Sequence, residues 1–473
     1  MQQADIVIIG GGLAGSTAAA MLGRAGVSTA LIDPHKVYPP DFRCEKLDTS
    51  QVDLLYKTGL AAPIFAAATL DDEISIARFG RFVEKRPARQ YGILYDRLVN
   101  TMRTQIPPCV DVLQAKATEI STSADRQTVT LSNGESISAR LIVLANGLNI
   151  GLRHTLGIAR EVISECHSIS IGFDVEPVDR AGFDFHALTY FPERASGRMA
   201  YLALFPIGET MRANLFVYRD MHDPWLREMR KTPVPALLAL LPGLRKLTGD
   251  FAVTSDVKIR PVDLYVTKGH RQPGIVLVGD AFATSCPAAG TGTNKVLNDV
   301  ERLCNTHIPH WLTSDGMGQE KITAFYDDAA KTACDAYSSN KAFYLRALSV
   351  EPGLIWRARR WARFLGRLGV GMEGGCWVRG CWTSRELRPA AARAGKPRSI
   401  ILYNLAIAPH SRRKRTRMFE IDRRPACRRL HYEQEFSKYR KSAHYFGLLG
   451  TRSPSVSYPV AVPTRGTIHA VEK

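Results

Sequence analysis

Long apolar runs are missing from this sequence. No stretch approaches the roughly 20 residues that span a bilayer, so no transmembrane helix is expected. Patterned cysteine is missing too. The nine cysteines are odd in number, none sits in a CxxC pair, and the nearest two are Cys376 and Cys381. A disulfide framework or a metal centre is therefore not expected, and reduced thiols are. The N-terminus lacks the basic n-region and cleavage site of a secretory signal, so the expected location is cytoplasmic. Acidic excess is also absent. The net charge is +18, which raises nucleic acid or anionic lipid as a partner. Residues 385–473, however, hold 20 Lys/Arg against six Asp/Glu, and residues 1–384 carry only +4. The basicity belongs to the tail. No nucleic-acid partner is expected, and a weak contact between the basic C-terminal region and a membrane surface is the role left for that charge.

What is present is 473 residues with 45% hydrophobic content, enough for a sizeable core and two or more domains. The chain opens on β-branched residues that enter a glycine cluster and leave it as an alanine-rich helix: "IVIIGGGLAGSTAAAML", residues 6–22. Gly10, Gly12 and Gly15 spell GxGxxG between a strand and a helix. Gly10 permits the tight turn, Gly12 lets backbone approach a pyrophosphate, and Gly15 lets helix and strand pack closely. Leu13 and Ala14 open the helix, whose free N–H groups and positive dipole end suit phosphate. Asp33 closes the second strand about 20 residues on, where a carboxylate accepts from ribose hydroxyls and disfavours a 2′-phosphate. This βαβ unit predicts a site for FAD or NAD.

Further along, residues 50–104 read as mostly helical, and Asn133-Gly134 between alternating strands predicts a hairpin. Residues 168–219 read as successive strands of a mostly antiparallel sheet. "GIVLVGDA" at 274–281 reads as a second buried strand ending in Gly279-Asp280. A glycine-rich turn and a helix through "TNKVLNDVERLC" follow. Residues 340–371 form a basic, Trp-containing helical stretch, read as packed on the body with its arginines in water.

"VLVGDAFATSCPAAGTGTNKVLNDVERL", residues 276–303, resembles the FAD-dependent aromatic-hydroxylase-like monooxygenases, a group that includes para-hydroxybenzoate hydroxylase and the ubiquinone-pathway hydroxylases. The matching residues are Gly279-Asp280-Ala281, Pro287 and Gly290-Thr291-Gly292-Thr293-Asn294. The resemblance implies FAD, with Asp280 on the ribitol, Pro287 near the reactive edge of the flavin, and the amides from Gly290 to Asn294 facing its pyrimidine end. Arg43 in "DFRCEKLD" maps to an arginine near the nucleotide. "LIVLANGLNIGLRHTLGI" maps Asn146-Gly147, Arg153 and Leu156-Gly157 to a segment linked to FAD and pyridine-nucleotide handling, with Asn146 where the family has Asp. Gln90 is a candidate polar contact to FAD. The resemblance covers about residues 4–345.

The implied fold is α/β: a Rossmann-type FAD-binding domain with an inserted, mostly antiparallel β-sheet substrate domain and a C-terminal helical region. The expected boundaries are 1–165 and 266–345 for the FAD-binding parts, 166–265 for the substrate sheet, 346–385 for the helical region and 386–473 for a poorly ordered basic tail. That tail is equally open to reading as a frame artefact. The implied activity is monooxygenation. NADH or NADPH reduces FAD, O₂ forms a flavin C4a-hydroperoxide, and a hydroxyl passes to a small aromatic or polyprenyl-type apolar substrate. Tyr190, Tyr201 and His186 are candidate bases for a phenol proton, and each is also an ordinary residue of a sheet. Three alternatives stand beside this reading. "YDRL" at 95–98 resembles flavin reductases of isoprenoid C=C bonds. A halogenase would use a lysine such as Lys46, but its Trp-x-Trp-x-Ile-Pro segment is replaced by "YLALFPIGE". A non-catalytic flavin-binding homologue is the third.

Overall fold

Ile6, Val7, Ile8 and Ile9 are all buried, so the opening strand has no polar face and must be covered on both sides. The computed structural model describes residues 2–379. In chain order the first elements are β1 (Gln2–Ile9), α1 (Leu13–Arg24), β2 (Thr29–Ile32), β3 (Lys46–Leu47), α2 (Thr49–Thr58), α3 (Ala61–Ala67), β4 (Thr69–Arg78), β5 (Arg81–Gly92), α4 (Tyr95–Arg103), β6 (Asp111–Leu113), β7 (Ala117–Ser121), β8 (Gln127–Leu131), β9 (Ser136–Leu144) and α5 (Gly151–Thr155). There follow β10 (Ala159–Pro177), β11 (Ala187–Tyr190), β12 (Met199–Ile207), β13 (Thr210–Val217), α6 (Pro224–Lys231), α7 (Pro233–Leu240), α8 (Arg245–Thr248), β14 (Phe251–Val253), β15 (Lys258–Lys268) and β16 (Ile275–Leu277). The last are α9 (Gly292–Arg302), α10 (Ile308–Leu312), α11 (Gln319–Tyr326), α12 (Ala329–Val350) and α13 (Leu354–Arg379). The basic tail lies outside the described residues.

The first sheet has the order β6-β2-β1-β9-β8-β7, with β16 beside the far half of β9. The strands β6, β2, β1, β9 and β16 are parallel. Asn133-Gly134 makes the expected turn: Gly134 has φ +86°, and β8 pairs antiparallel with β9. This is the α/β unit that the glycine motif predicted.

The second sheet is larger than residues 168–219 suggested. Its order is β14-β10-β13-β12-β11-β4-β5-β3, with β15 on β10. The reading of 50–104 as mostly helical is corrected here, because residues 69–92 are a strand pair of this sheet. Phe79 and Gly80 form its two-residue turn, both at positive φ (56° and 67°), a conformation that matches the twist of the flanking strands. Alternation in "EISIAR" carried that signal. The sheet thus takes three strands from the segment between the second strand and α4, well before residue 166.

Pairing parity separates the faces of this sheet. Tyr190 pairs with Leu202, and Leu188 with Leu204, all packed with α6–α8. Ala203 and Phe205 face the other way and pack with Ala187 and Tyr201. A buried bidentate pair ties the sheet to the loop before β3: Arg212 donates to Glu45 through Nε (2.8 Å) and Nη2 (2.7 Å).

Helix α12 docks on β10 through His167. The ring is fully buried, with Nδ1 3.1 Å from Ser164 Oγ and Nε2 3.4 Å from the Ala342 carbonyl oxygen. Burial, then the Arg346 charge, push its pKa down to about 4 from 6.5. The unfolded chain therefore binds more protons between those values, and stability falls as pH drops through that window. His167→Gln is expected to flatten this part of a melting-temperature profile recorded from pH 7 to pH 4.

Candidate active site

The glycine turn is shaped by contacts within the chain. Gly10 has φ +105°, and a Cβ there would lie 2.6 Å from the Ala145 carbonyl oxygen. A Cβ on Gly15 would lie 1.8 Å from the Gly10 carbonyl oxygen. Gly12 differs: a Cβ there would meet only the Tyr38 ring, at 3.9 Å. Gly12 precedes α1, and no side chain caps that helix. Leu13 and Ala14, its first residues, are buried.

Asp33, at the end of β2, accepts from Gly11 N–H (2.6 Å) and His35 N–H (2.8 Å), and pairs with Arg103 Nη2 (3.1 Å). Arg103 also donates twice to the Gly11 carbonyl oxygen. Sequence reasoning missed Arg103. It sits in the last turn of α4, and nothing in its local spacing marks it.

Arg43 and Asp280, 237 residues apart, form an ion pair of 2.8 Å. Arg43 also pairs with Asp41 (2.6 Å). Burial works against its charge, but Tyr95, Asp280 and Asp41 outweigh it, and its pKa is raised. The Gly279–Ala281 turn is stapled from behind. Arg153, buried, donates to the Ala281 carbonyl oxygen (2.7 Å), and Tyr265 donates to that of Asp280 (2.5 Å). Arg153 is thus a brace. Gly279 N–H donates to Asp299 (3.0 Å).

The second glycine turn is held by the first half of the chain. Gly290 has φ +64°, and Gly292 opens α9. Gln51 Nε2 donates to the Gly290 carbonyl oxygen and to Asn294 Oδ1, each at 3.0 Å. Asn294 donates to Ser50 Oγ (2.8 Å), and Thr291 Oγ1 lies 2.6 Å from Ser338 Oγ. Gln51 was missed, although Asp48-x-x-Gln51 is a legible capping box. No side chain caps the N-terminus of α9, where Thr293 is the second helical residue.

Do these residues fit FAD? Three features say that they do. Helices α1 and α9, packed on one another, both begin without a side-chain cap, leaving N–H groups for a phosphate and for an anionic ring edge. The space at Gly12 is not taken by the chain itself. Asn146, half-buried beside the Gly10 turn, has both side-chain amide atoms buried and neither hydrogen-bonded within the chain, and such groups ordinarily have a partner. Gly147 follows it at φ +58° with open space around it. Gln90 lies near the end of β5, with a buried, unpartnered Oε1.

The candidate bases part company. Tyr201 donates to the Ala288 carbonyl oxygen (3.0 Å), inside the turn that begins at Pro287. Burial raises its pKa, so the phenol keeps its proton and acts as a donor. Tyr190 is on the opposite face, donating to Glu193 (2.5 Å) and accepting from Gly80 N–H (2.8 Å), a contact set that closes the hairpin turn. His186 is half exposed, 3.3 Å from Asp72, in an open surface depression with Asp184. Lys46 packs over Phe205 and lies 3.4 Å from buried Asp71. Of the three candidates, Tyr201 alone is joined to the Pro287 turn.

Tyr201 also lines an apolar cleft between the second sheet and helices α12 and α13, with Ile76, Phe191 and Leu345. No helix of the described residues is long and apolar enough to cross a membrane. Helix α13 instead packs on the body through its aromatics: Trp361 stacks on Phe79 at 6.2 Å, and Phe364 meets it edge-on at 5.7 Å.

Comparison with known proteins supports the fold and FAD as the cofactor. The family model described as FAD binding domain matches residues 3–331. The 3-demethoxyubiquinol 3-hydroxylase of Escherichia coli is 25% identical over 333 residues, covering 65% of this chain and 80% of that protein. A digeranylgeranylglycerophospholipid reductase of Thermoplasma acidophilum is 25% identical over 409 residues, covering 74% and 95%. The crystal structure of p-nitrophenol 4-monooxygenase PnpA from Pseudomonas putida DLL-E4 shares the fold, with a TM-score of 0.64 at 18% identity over 80% of this chain and 98% of that one. The family model spans well over half of the chain, and the chain belongs to the FAD-binding family of aromatic-hydroxylase-like flavoprotein oxidoreductases.

Proposed function

We propose that this oxidoreductase is a cytoplasmic monooxygenase that places one oxygen atom from O₂ on an aromatic or polyprenyl-type apolar substrate, with NADH or NADPH as electron donor. The observation that carries the reading is the hydrogen bond from Tyr201 to Ala288. It joins the wall of an apolar cleft to the Pro287 turn, which in the resembled family lies at the reactive edge of the flavin. Bound FAD would supply the redox chemistry and the activation of O₂.

The chain's own residues have separable tasks in this reading. Gly10, Gly12 and Gly15 with the start of α1 hold the pyrophosphate, and Asp33 holds the ribose. Asp280 takes the ribitol, with Arg43 fixing its carboxylate. The amides of Gly290–Asn294 stabilise negative charge on the reduced ring. The apolar cleft orients the substrate and excludes water, and Tyr201, its proton committed to the Ala288 carbonyl oxygen, presents its phenol oxygen as a fixed acceptor. Residues 1–165 and 266–345 serve as the FAD-binding parts and 166–265 as the substrate sheet, to which residues 46–92 lend strands.

A second reading, reduction of isoprenoid C=C bonds, is supported by the near-complete coverage of the Thermoplasma reductase. Product mass separates the two. The purified protein is expected to show flavin absorption and to release FAD. Given NADH or NADPH and O₂, the product should gain one oxygen. Gain of two hydrogens under anaerobic conditions would replace the first reading with the second.

A further inference from the structure

Four arginines line the cleft that Tyr201 walls: Arg78 from β4, and Arg360, Arg363 and Arg367 from α13. Chance basicity does not account for them, because residues 1–384 carry a net charge of only +4. Their charges are also poorly matched. Among the described residues Arg78, Arg360 and Arg363 are in no ion pair, and Arg367 reaches only Glu84, at 4.0 Å. Their positions are built. Arg78 donates to the Pro192 carbonyl oxygen (2.9 Å) and stacks on Phe79, Phe364 and Trp361. Arg360 donates to the carbonyl oxygens of Leu348 and Glu351, each at 2.9 Å. Arg367 stacks on Phe191 at 4.5 Å, and Arg363 lies over Tyr344 at 6.0 Å. Burial, together with the charge of neighbouring arginines, pushes the pKa values of Arg78, Arg360 and Arg367 down. Four guanidinium groups that crowd one cleft with only a distant Glu84 as ion-pair partner match the planar, bidentate geometry of a carboxylate or phosphate.

We infer that this cleft takes an amphipathic anion, an apolar chain or ring bearing one carboxylate or phosphate, with the acid group on the arginines of β4 and α13 and the apolar part along Ile76, Phe191, Leu345 and Tyr201. This rests on the proposed monooxygenase reading and narrows its substrate class. The acid group fixes which end of the molecule enters, and the apolar end approaches the Pro287 turn. An acid of this kind is either a free small molecule or the headgroup of a lipid in a membrane, and the two sources are separable.

Calorimetric titration of the full-length purified protein, with its flavin content recorded on the same sample, tests the inference. The probes are decanoate and 2-naphthoate below their aggregation limits, decanol, decyltrimethylammonium, and vesicles of phosphatidylglycerol. The acids are expected to bind about tenfold or more tighter than decanol or the ammonium, the value of one charge-assisted contact. Arg363→Gln, which removes an exposed side chain with no ion pair, should erase most of that preference and leave decanol binding unchanged. Arg367→Gln should do the same and guards against a peculiarity of one position. Equal binding of decanol and decanoate with no binding of the vesicles, or an acid preference that survives both substitutions, would overturn the inference; vesicle binding that both substitutions abolish, without binding of the monomeric acids, would assign the acid to a lipid headgroup. A flavin-loaded protein that fails here leaves the FAD reading intact; a protein that takes up no FAD fails that reading first.

Discussion

Gly15→Val is expected to give protein without bound flavin, and Gly12→Ala to give protein of normal stability that holds FAD poorly. The two glycines are three residues apart and differ in what surrounds them. A Cβ at Gly15 would sit 1.8 Å from the Gly10 carbonyl oxygen, so strand and helix must move apart. The variant should lose both flavin colour and melting temperature. At Gly12 the backbone (φ −75°, ψ −165°) suits any residue, and a Cβ would have only the Tyr38 ring at 3.9 Å. The fold does not require glycine there, and Gly12→Ala should change stability by no more than about 0.5 kcal/mol. Close approach of a pyrophosphate does require it. FAD affinity, measured by fluorescence quenching on titration, should then fall by about tenfold or more, a cost of about 1.4 kcal/mol or greater. Unchanged affinity in Gly12→Ala would mean that the pyrophosphate does not lie over this turn.

That contrast also shows why some of the site was legible in the sequence. A glycine turn between a buried strand and a helix is a local pattern, so Gly10, Gly12, Gly15 and Asp33 could be read from spacing alone. The second glycine turn, from Gly290 to Asn294, was readable for the same reason. What holds those turns in place is not local. Arg103 reaches the Gly11 carbonyl oxygen from the end of α4, and Gln51 reaches the Gly290 carbonyl oxygen across 239 residues. No window of sequence contains both partners. The substrate sheet was half legible. Strands 168–219 alternate cleanly, but β4 and β5 were hidden because a two-residue turn at Phe79-Gly80 interrupts a segment otherwise flanked by helices. Tyr190 and Tyr201 looked equivalent in sequence. Parity decides between them only once β11 and β12 are paired, and it turns Tyr190 to the helical face.

Lys331→Met is expected to cost about 3–5 kcal/mol of folding stability and to loosen FAD as well. Lys331 and Asp299 are each about 1% exposed and lie 2.8 Å apart, and Lys331 also pairs with Asp335 at 3.1 Å. Burial opposes the lysine's charge, but Asp299 and then Asp335 outweigh it, so its pKa is raised. The lysine's share of this stability is therefore fully present below the ordinary lysine range and is lost as pH rises through its raised pKa. Removing the ammonium leaves Asp299 buried without a counter-charge, and that carboxylate holds Gly279 N–H at 3.0 Å. Gly279 has φ +59° and sets the direction of Asp280, so strain there passes to the Arg43 pair and to the proposed ribitol contact. Urea unfolding gives the stability loss, and flavin release during the same titration gives the coupling. Loss of FAD at lower urea than global unfolding would place the defect at the Gly279 turn. Simultaneous loss would make Lys331 a support of the whole fold only. Lys331→Arg, which keeps the charge in a larger group, should recover FAD retention before it recovers full stability, because the carboxylate is paired again while the packing against Phe282, 4.1 Å from the ammonium, is not.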